Sequence, residues 1–266
     1  MLRFPTRRRL SGVVFLALAG MTATTSSAAA ADGVTGAVTV TRSGTTLTVT
    51  GTPTADVIDV SFTKGTSTFQ GTWVVVGSTT TLSAGQGCTA NSTTQVSCSG
   101  NGLGDRVSID AGAGDDRVTY RFGLPSVIDG GDGQDTIVGG FGPDTIFASG
   151  LGTGVGTDRV DGGDGPDNIQ GGGGNDVLDG GRGDDTVSGE GSDDTITGGL
   201  GNDKLSGSKG DDIVRGGPGA DQMSGASGSD SLIGDEGVDS ADGGPLSGSD
   251  SGIDTCDAET EIRCEK

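Results

Sequence analysis

The sequence predicts an all-β chain: a β-solenoid of stacked nine-residue units, preceded by a β-rich N-terminal segment. Three observations predict it. A period of nine runs through residues 130–242, with Asp at the sixth position of every unit and an apolar residue at the eighth. The last three residues of each unit read polar–apolar–polar, as in Thr195-Ile196-Thr197, which is one short strand with a single inward side chain. Glycine contributes 55 of 266 residues and aromatics only 3%, so a conventional core would be thin. A solenoid needs no such core, because each unit contacts only its neighbours.

The units are read by position. Ten follow one another without a gap from Thr153 to Asp242, and two more stand at Gly130–Val138 and Gly139–Phe147. A five-residue insert, Ala148–Gly152, separates the two blocks. Position six is Asp135, Asp144, Asp158, Asp167, Asp176, Asp185, Asp194, Asp203, Asp212, Asp221, Asp230 and Asp239. Position eight is Ile137, Ile146, Val160, Ile169, Leu178, Val187, Ile196, Leu205, Val214, Met223, Leu232 and the weak Ala241. Position four is Gly except at Ser192, and position one is Gly except at Thr153.

The first six residues of a unit suit a tight turn, since glycine reaches positive φ without steric cost. A lone three-residue strand buries too little to be stable. Stacking many of them builds an inner column of Ile, Val and Leu. Stacking also brings the Asp residues of successive turns together, where bare carboxylates repel and resist desolvation. A hard divalent cation held by carboxylate and carbonyl oxygens removes the conflict. Calcium accepts six to eight such ligands in flexible geometry, whereas magnesium demands a tighter octahedron. The segment is therefore expected to be unfolded without calcium and folded with it. A disordered acidic tail would not require an apolar residue at every ninth position.

The spacing resembles the nonapeptide signature of the RTX (repeats-in-toxin) calcium-binding family, over a little under half the chain. The resemblance implies a right-handed parallel β-roll, two units per coil, with multiple calcium ions between adjacent turns on both edges. One edge would carry Asp158, Asp176, Asp194, Asp212 and Asp230, and the other Asp167, Asp185, Asp203, Asp221 and Asp239. Roughly eight ions would then fit in the long block.

Taken in order, the chain opens with Arg3, Arg7, Arg8 and Arg9, an apolar run from Val13 to Ala19, and Ala28 to Ala31. This pattern predicts a secretory leader over residues 1–31, cleaved after Ala30 or Ala31; the run is too short to span a membrane comfortably. Thr6-Arg7-Arg8-Arg9-Leu10 resembles a twin-arginine signal, but Ser11 departs from it, and the export route stays open. Residues 32–129 carry strand-like patches at Val38–Thr41, Leu47–Thr50, Val57–Val60 and Trp73–Val76. Two degenerate units lie within them. Ala111–Thr119 sets Asp116 and Val118 at positions six and eight and makes Asp116 a possible ion ligand, whereas Asp56 in Gly51–Asp59 reads as a turn residue. Four Cys in an exported chain suggest two disulfides, with Cys88–Cys98 and Cys256–Cys264 as the local pairings among three possible connectivities. Residues 243–266 read as a C-terminal cap; Asp257–Lys266 shows no hydrophobic tail, so no attachment to membrane or wall is expected.

Composition narrows the function. The net charge is −21, and the predicted leader holds four of the 16 basic residues and no acid. Such a balance disfavours nucleic acid and anionic membranes and favours cations. There is no His, so H-E-x-x-H zinc sites and Ser-His-Asp triads are impossible, and no enzyme is expected. The expectation is a secreted, extracellular calcium-binding protein. An adhesin or matrix protein using the roll as a spacer or binding face, with an extracellular polymer or cell-surface partner, is the alternative. Ice binding would need a regular outward file, and the files at position seven are irregular.

Overall fold

In a computed structural model the described residues are 37–64, 71–77, 81–93, 95–100, 105–149, 155–244, 255–257 and 260–262. The expected leader (1–31) and Cys264 of the second expected disulfide lie outside them. The N-terminal part is built from β1 (Ala37–Ser43), β2 (Thr46–Thr52), β3 (Val57–Lys64), β4 (Gly71–Gly77), β5 (Thr81–Ala84), β6 (Cys88–Ser92) and β7 (Gln95–Gly100). Strands β8 (Arg106–Gly112), β9 (Arg117–Tyr120), β10 (Ser126–Asp129), β11 (Thr136–Gly140) and β12 (Thr145–Phe147) follow. The long block supplies β13 (Arg159–Asp164), β14 (Asn168–Gly173), β15 (Val177–Arg182), β16 (Thr186–Gly191) and β17 (Thr195–Leu200). It continues with β18 (Lys204–Lys209), β19 (Ile213–Arg215), β20 (Gln222–Ser227), β21 (Ser231–Ile233) and β22 (Ser240–Asp242), and the chain closes on β23 (Thr255–Asp257) and β24 (Thr260–Ile262).

From β8 onward, even strands stack in one sheet and odd strands in the other. Each nine-residue unit therefore contributes one strand, and two units complete a coil. The pairings are parallel and repeat at eighteen residues, as in Asn168↔Thr186 and Val177↔Thr195. Position eight faces inward throughout: Ile137, Val160, Leu178, Ile196, Val214 and Leu232 line one file, and Ile146, Ile169, Val187, Leu205 and Met223 the other, all at most 3% exposed. Each such burial is worth about 1.5–3 kcal/mol, which one three-residue strand cannot convert into stability alone. The array is an all-β parallel solenoid, and no helix occurs among the described residues.

The stack begins before Gly130. Ile58, Val118 and Ile137 are successive partners, so both degenerate units take their place in the odd sheet. The expected strands at Val38, Leu47, Val57 and Trp73 form as β1 to β4. Beyond β2 and β3 antiparallel pairs appear, β1 with β2 on one sheet and β3, β4, β7 and β6 in sequence on the other, while β5 joins the outer edge of β1 in parallel. Cys88 and Cys98 face each other across β6 and β7 and form a disulfide.

The insert lies in a different place from the one the period suggests. The N–H groups of Ala148 and Ser149 donate to the carbonyls of Gln170 and Gly171, as those of Gly216 and Gly217 donate to Ile233 and Gly234. Val155 then bridges Gly173 at position three. Ala148 and Ser149 thus pair as positions one and two of the unit that ends at Asp161; the expected start of that unit, Thr153, lies outside the described residues. An unbroken count of nines started the unit at Thr153; main-chain pairing with the next coil gives positions one and two to Ala148 and Ser149.

Candidate metal centre

The position-six carboxylates form two buried ladders. On one edge the main-chain N–H of Asp158 donates to Oδ1 of Asp176, that of Asp176 to Asp194, and that of Asp194 to Asp212, each at 2.8 Å. On the other the same bond joins Asp167 to Asp185, Asp185 to Asp203 and Asp203 to Asp221, also at 2.8 Å. Asp230 and Asp239 accept from Asp212 and Asp221 at 2.9 Å. The first ladder runs upward through Asp135 and Asp116 to Asp56, and the second through Asp144 to Ser126. Every one of these Asp residues is at most 3% exposed.

One oxygen of each carboxylate is therefore satisfied by the chain. The other mostly is not. Oδ2 is buried without a hydrogen-bond partner in Asp116, Asp135, Asp144, Asp167, Asp176, Asp185, Asp194, Asp203, Asp212 and Asp221. Burial penalises the ionised form, and neighbouring carboxylates add to the penalty at most of these sites. Asp116, Asp144, Asp167, Asp176 and Asp194 are pushed up to about 7. Asp135, Asp185, Asp203 and Asp221 rise to about 6, and Asp158 and Asp212 also shift upward, all chiefly through burial. A row of buried anions with one bare oxygen each is costly unless positive charge sits beside it.

The turns fit that requirement. A side chain at Gly181 would place its Cβ 2.2 Å from the carbonyl oxygen of Gly163, and one at Gly201 would stand 1.7 Å from that of Gly183. Carbonyl oxygens of one coil thus stand where a Cβ of the next would be, so the missing side chain is what lets adjacent turns come this close. Positions two and four also adopt positive φ, for example Gly163 at 105° and Gly165 at 122°. Glu190, Ser192, Ser208, Ala226 and Asp235 accept the same conformation without glycine's freedom. The available donors are carboxylate and carbonyl oxygens, the set that calcium prefers. Among the described residues no three acidic or sulfur side chains converge on one point, so main-chain carbonyls must supply much of any ligand sphere.

The structure lines up the position-six Asp residues eighteen apart on two edges and adds two features absent from the sequence-based expectation. Asp56, read as a turn residue, is the top rung: its carboxylate accepts the N–H of Thr52 at 2.7 Å and the Thr52 hydroxyl at 3.2 Å. Outer ladders also run along position five, one on each edge. There Asn202 donates to Asp184 at 2.9 Å, Asp211 to Asp193 at 2.8 Å and Ser229 to Asp211 at 2.8 Å through their main-chain N–H groups. The recurrence of Asp, Asn and Ser at position five was the available signal.

The RTX calcium-binding nonapeptide repeat matches in four copies, at residues 126–150, 153–187, 188–223 and 215–245. The coiled segment is an RTX array. RTX repeats bind several calcium ions, and calcium is the ion these repeats call for. The first match starts at Ser126, the residue that tops the second ladder. No curated relative and no solved structure matches the chain.

Proposed function

We propose that the protein is a secreted, non-catalytic calcium-binding protein whose RTX roll orders as calcium enters. The observation that carries this reading is the row of buried Oδ2 atoms left without a partner. The Asp ladders hold the turns in register and present those oxygens together with the turn carbonyls. Bound calcium supplies the compensating charge. Extracellular calcium near millimolar suits modular sites with affinities on the order of 10⁻⁴–10⁻³ M. The leader pattern over residues 1–31 supports export, and the absence of His supports a non-catalytic role.

Circular dichroism of the chain from Asp32 onward tests the proposal. Millimolar calcium is expected to increase the β signal and excess chelator to reverse it. A spectrum unchanged by both would overturn the reading. Calorimetric titration then gives ion number and affinity.

A further inference from the structure

We propose that Asp158 is closed to calcium, because Ala148 and Ser149 occupy the space that a carboxylate oxygen and a bare glycine hold in the other units. The proposal rests on the calcium reading above and adds a break in the series of ion sites.

In the regular units Oδ2 lies directly over the first-position glycine of its own unit. A Cβ added there would stand 2.6 Å from Oδ2 in the pairs Gly162/Asp167, Gly171/Asp176 and Gly180/Asp185, and 2.1 Å away in Gly189/Asp194. The unit of Asp158 has Ala148 in that place, so the methyl is real. Oδ2 of Asp158 instead accepts the hydroxyl of Ser149 at 2.7 Å, and Ser149 is 3% exposed. Oδ1 of Asp158 already takes the N–H of Asp135 at 2.8 Å.

Both oxygens of Asp158 are therefore hydrogen-bonded within the chain, unlike Asp135 before it and Asp176 after it. The other acceptor near the Ser149 hydroxyl, the Gly173 carbonyl, lies at 3.5 Å, so the carboxylate takes the proton. An ion at this carboxylate would have to displace a buried hydrogen bond as well as fit beside the methyl. The ladder is continuous here while the ion series is not.

Counting bound calcium per chain by equilibrium dialysis tests this, with circular dichroism confirming that each variant orders in calcium. Asp158→Asn keeps an acceptor for Asp135 and a polar contact for Ser149, and is expected to bind as many ions as the unaltered chain. Asp176→Asn is expected to bind at least one fewer. Ala148→Gly combined with Ser149→Gly restores the regular Gly-Gly pair and is expected to bind one more. Loss of an ion in Asp158→Asn, equal counts in the two asparagine variants, or no gain in the double-glycine variant would overturn the proposal. An unaltered chain that takes up no calcium would overturn the functional reading as well, so the two failures are distinguishable.

Discussion

The N-terminal strands and the RTX roll share two sheets yet solve the same electrostatic problem differently. Upstream of Asp116 the two buried acids among the described residues, Asp56 and Asp105, each have a partner from the chain. Asp105 pairs with Arg42 at 2.9 Å, and Asp56 is held by the amide and hydroxyl of Thr52. In the roll, Asp167, Asp176, Asp185 and their neighbours keep one oxygen bare. The cores differ in the same sense. Strands β1 to β3 each bury two apolar side chains, Val38 and Val40, Leu47 and Val49, Ile58 and Val60, and the Cys88–Cys98 disulfide ties the outer hairpin. A roll strand buries one. The first region has these partners within the chain; under the proposed function the second takes its compensating charge from an ion.

Removing calcium breaks this comparison most severely. Chelation is expected to unfold residues 130–242 while leaving the strands of residues 37–120 protected, as read by hydrogen exchange or limited proteolysis. Uniform loss of protection over both regions would mean that they do not differ in ion dependence.

Acid sharpens it next. The carboxyl groups of Asp116, Asp144, Asp167, Asp176 and Asp194 rise from an unfolded value of 3.8 to about 7 in the folded, metal-free chain. Raised folded values mean that the folded state holds more protons, so the stabilisation is fully present below 3.8 and is lost as pH climbs to about 7. In chelator the roll is thus expected to regain β structure at pH 5 and lose it at pH 8, by circular dichroism. Protons and calcium compete for the same oxygens, so calcium affinity falls as pH drops through the same range.

Arg42→Ala strips a buried carboxylate of its charge partner and is expected to cost about 3–5 kcal/mol, measured by denaturant unfolding. The cost should fall on the N-terminal part and be the same with or without calcium. Ile196→Ala opens a cavity in a roll file and is expected to cost about 2–5 kcal/mol, visible only when calcium has ordered the coils. The smallest change is a gain. Ser192 sits at a φ of 79° where other units have glycine, and Ser192→Gly is expected to add about 1 kcal/mol of thermal stability in calcium.

Much of the candidate site was legible because a fixed period carries its own geometry. With nine residues per unit and two units per coil, Asp167, Asp185 and Asp203 must fall in line, and the eighth position must meet itself in the next coil. Asp56 was not legible as a rung because 60 residues separate it from Asp116, and the hairpins between them hide the phase. Ala148 and Ser149 were not legible as the start of a unit for the related reason that an insert has two possible edges, and counting in nines cannot choose between them.

Sequence by itself determined the repeating unit, its inward apolar file and the acidic residues that call for a cation, since these follow from residue type and spacing. Only the tertiary structure decided which oxygen of each carboxylate is already taken, where the ladders end, and that Asp158 has found a hydroxyl. Those facts depend on which atoms of distant coils come within hydrogen-bond reach, and a period states order along the chain without stating that distance.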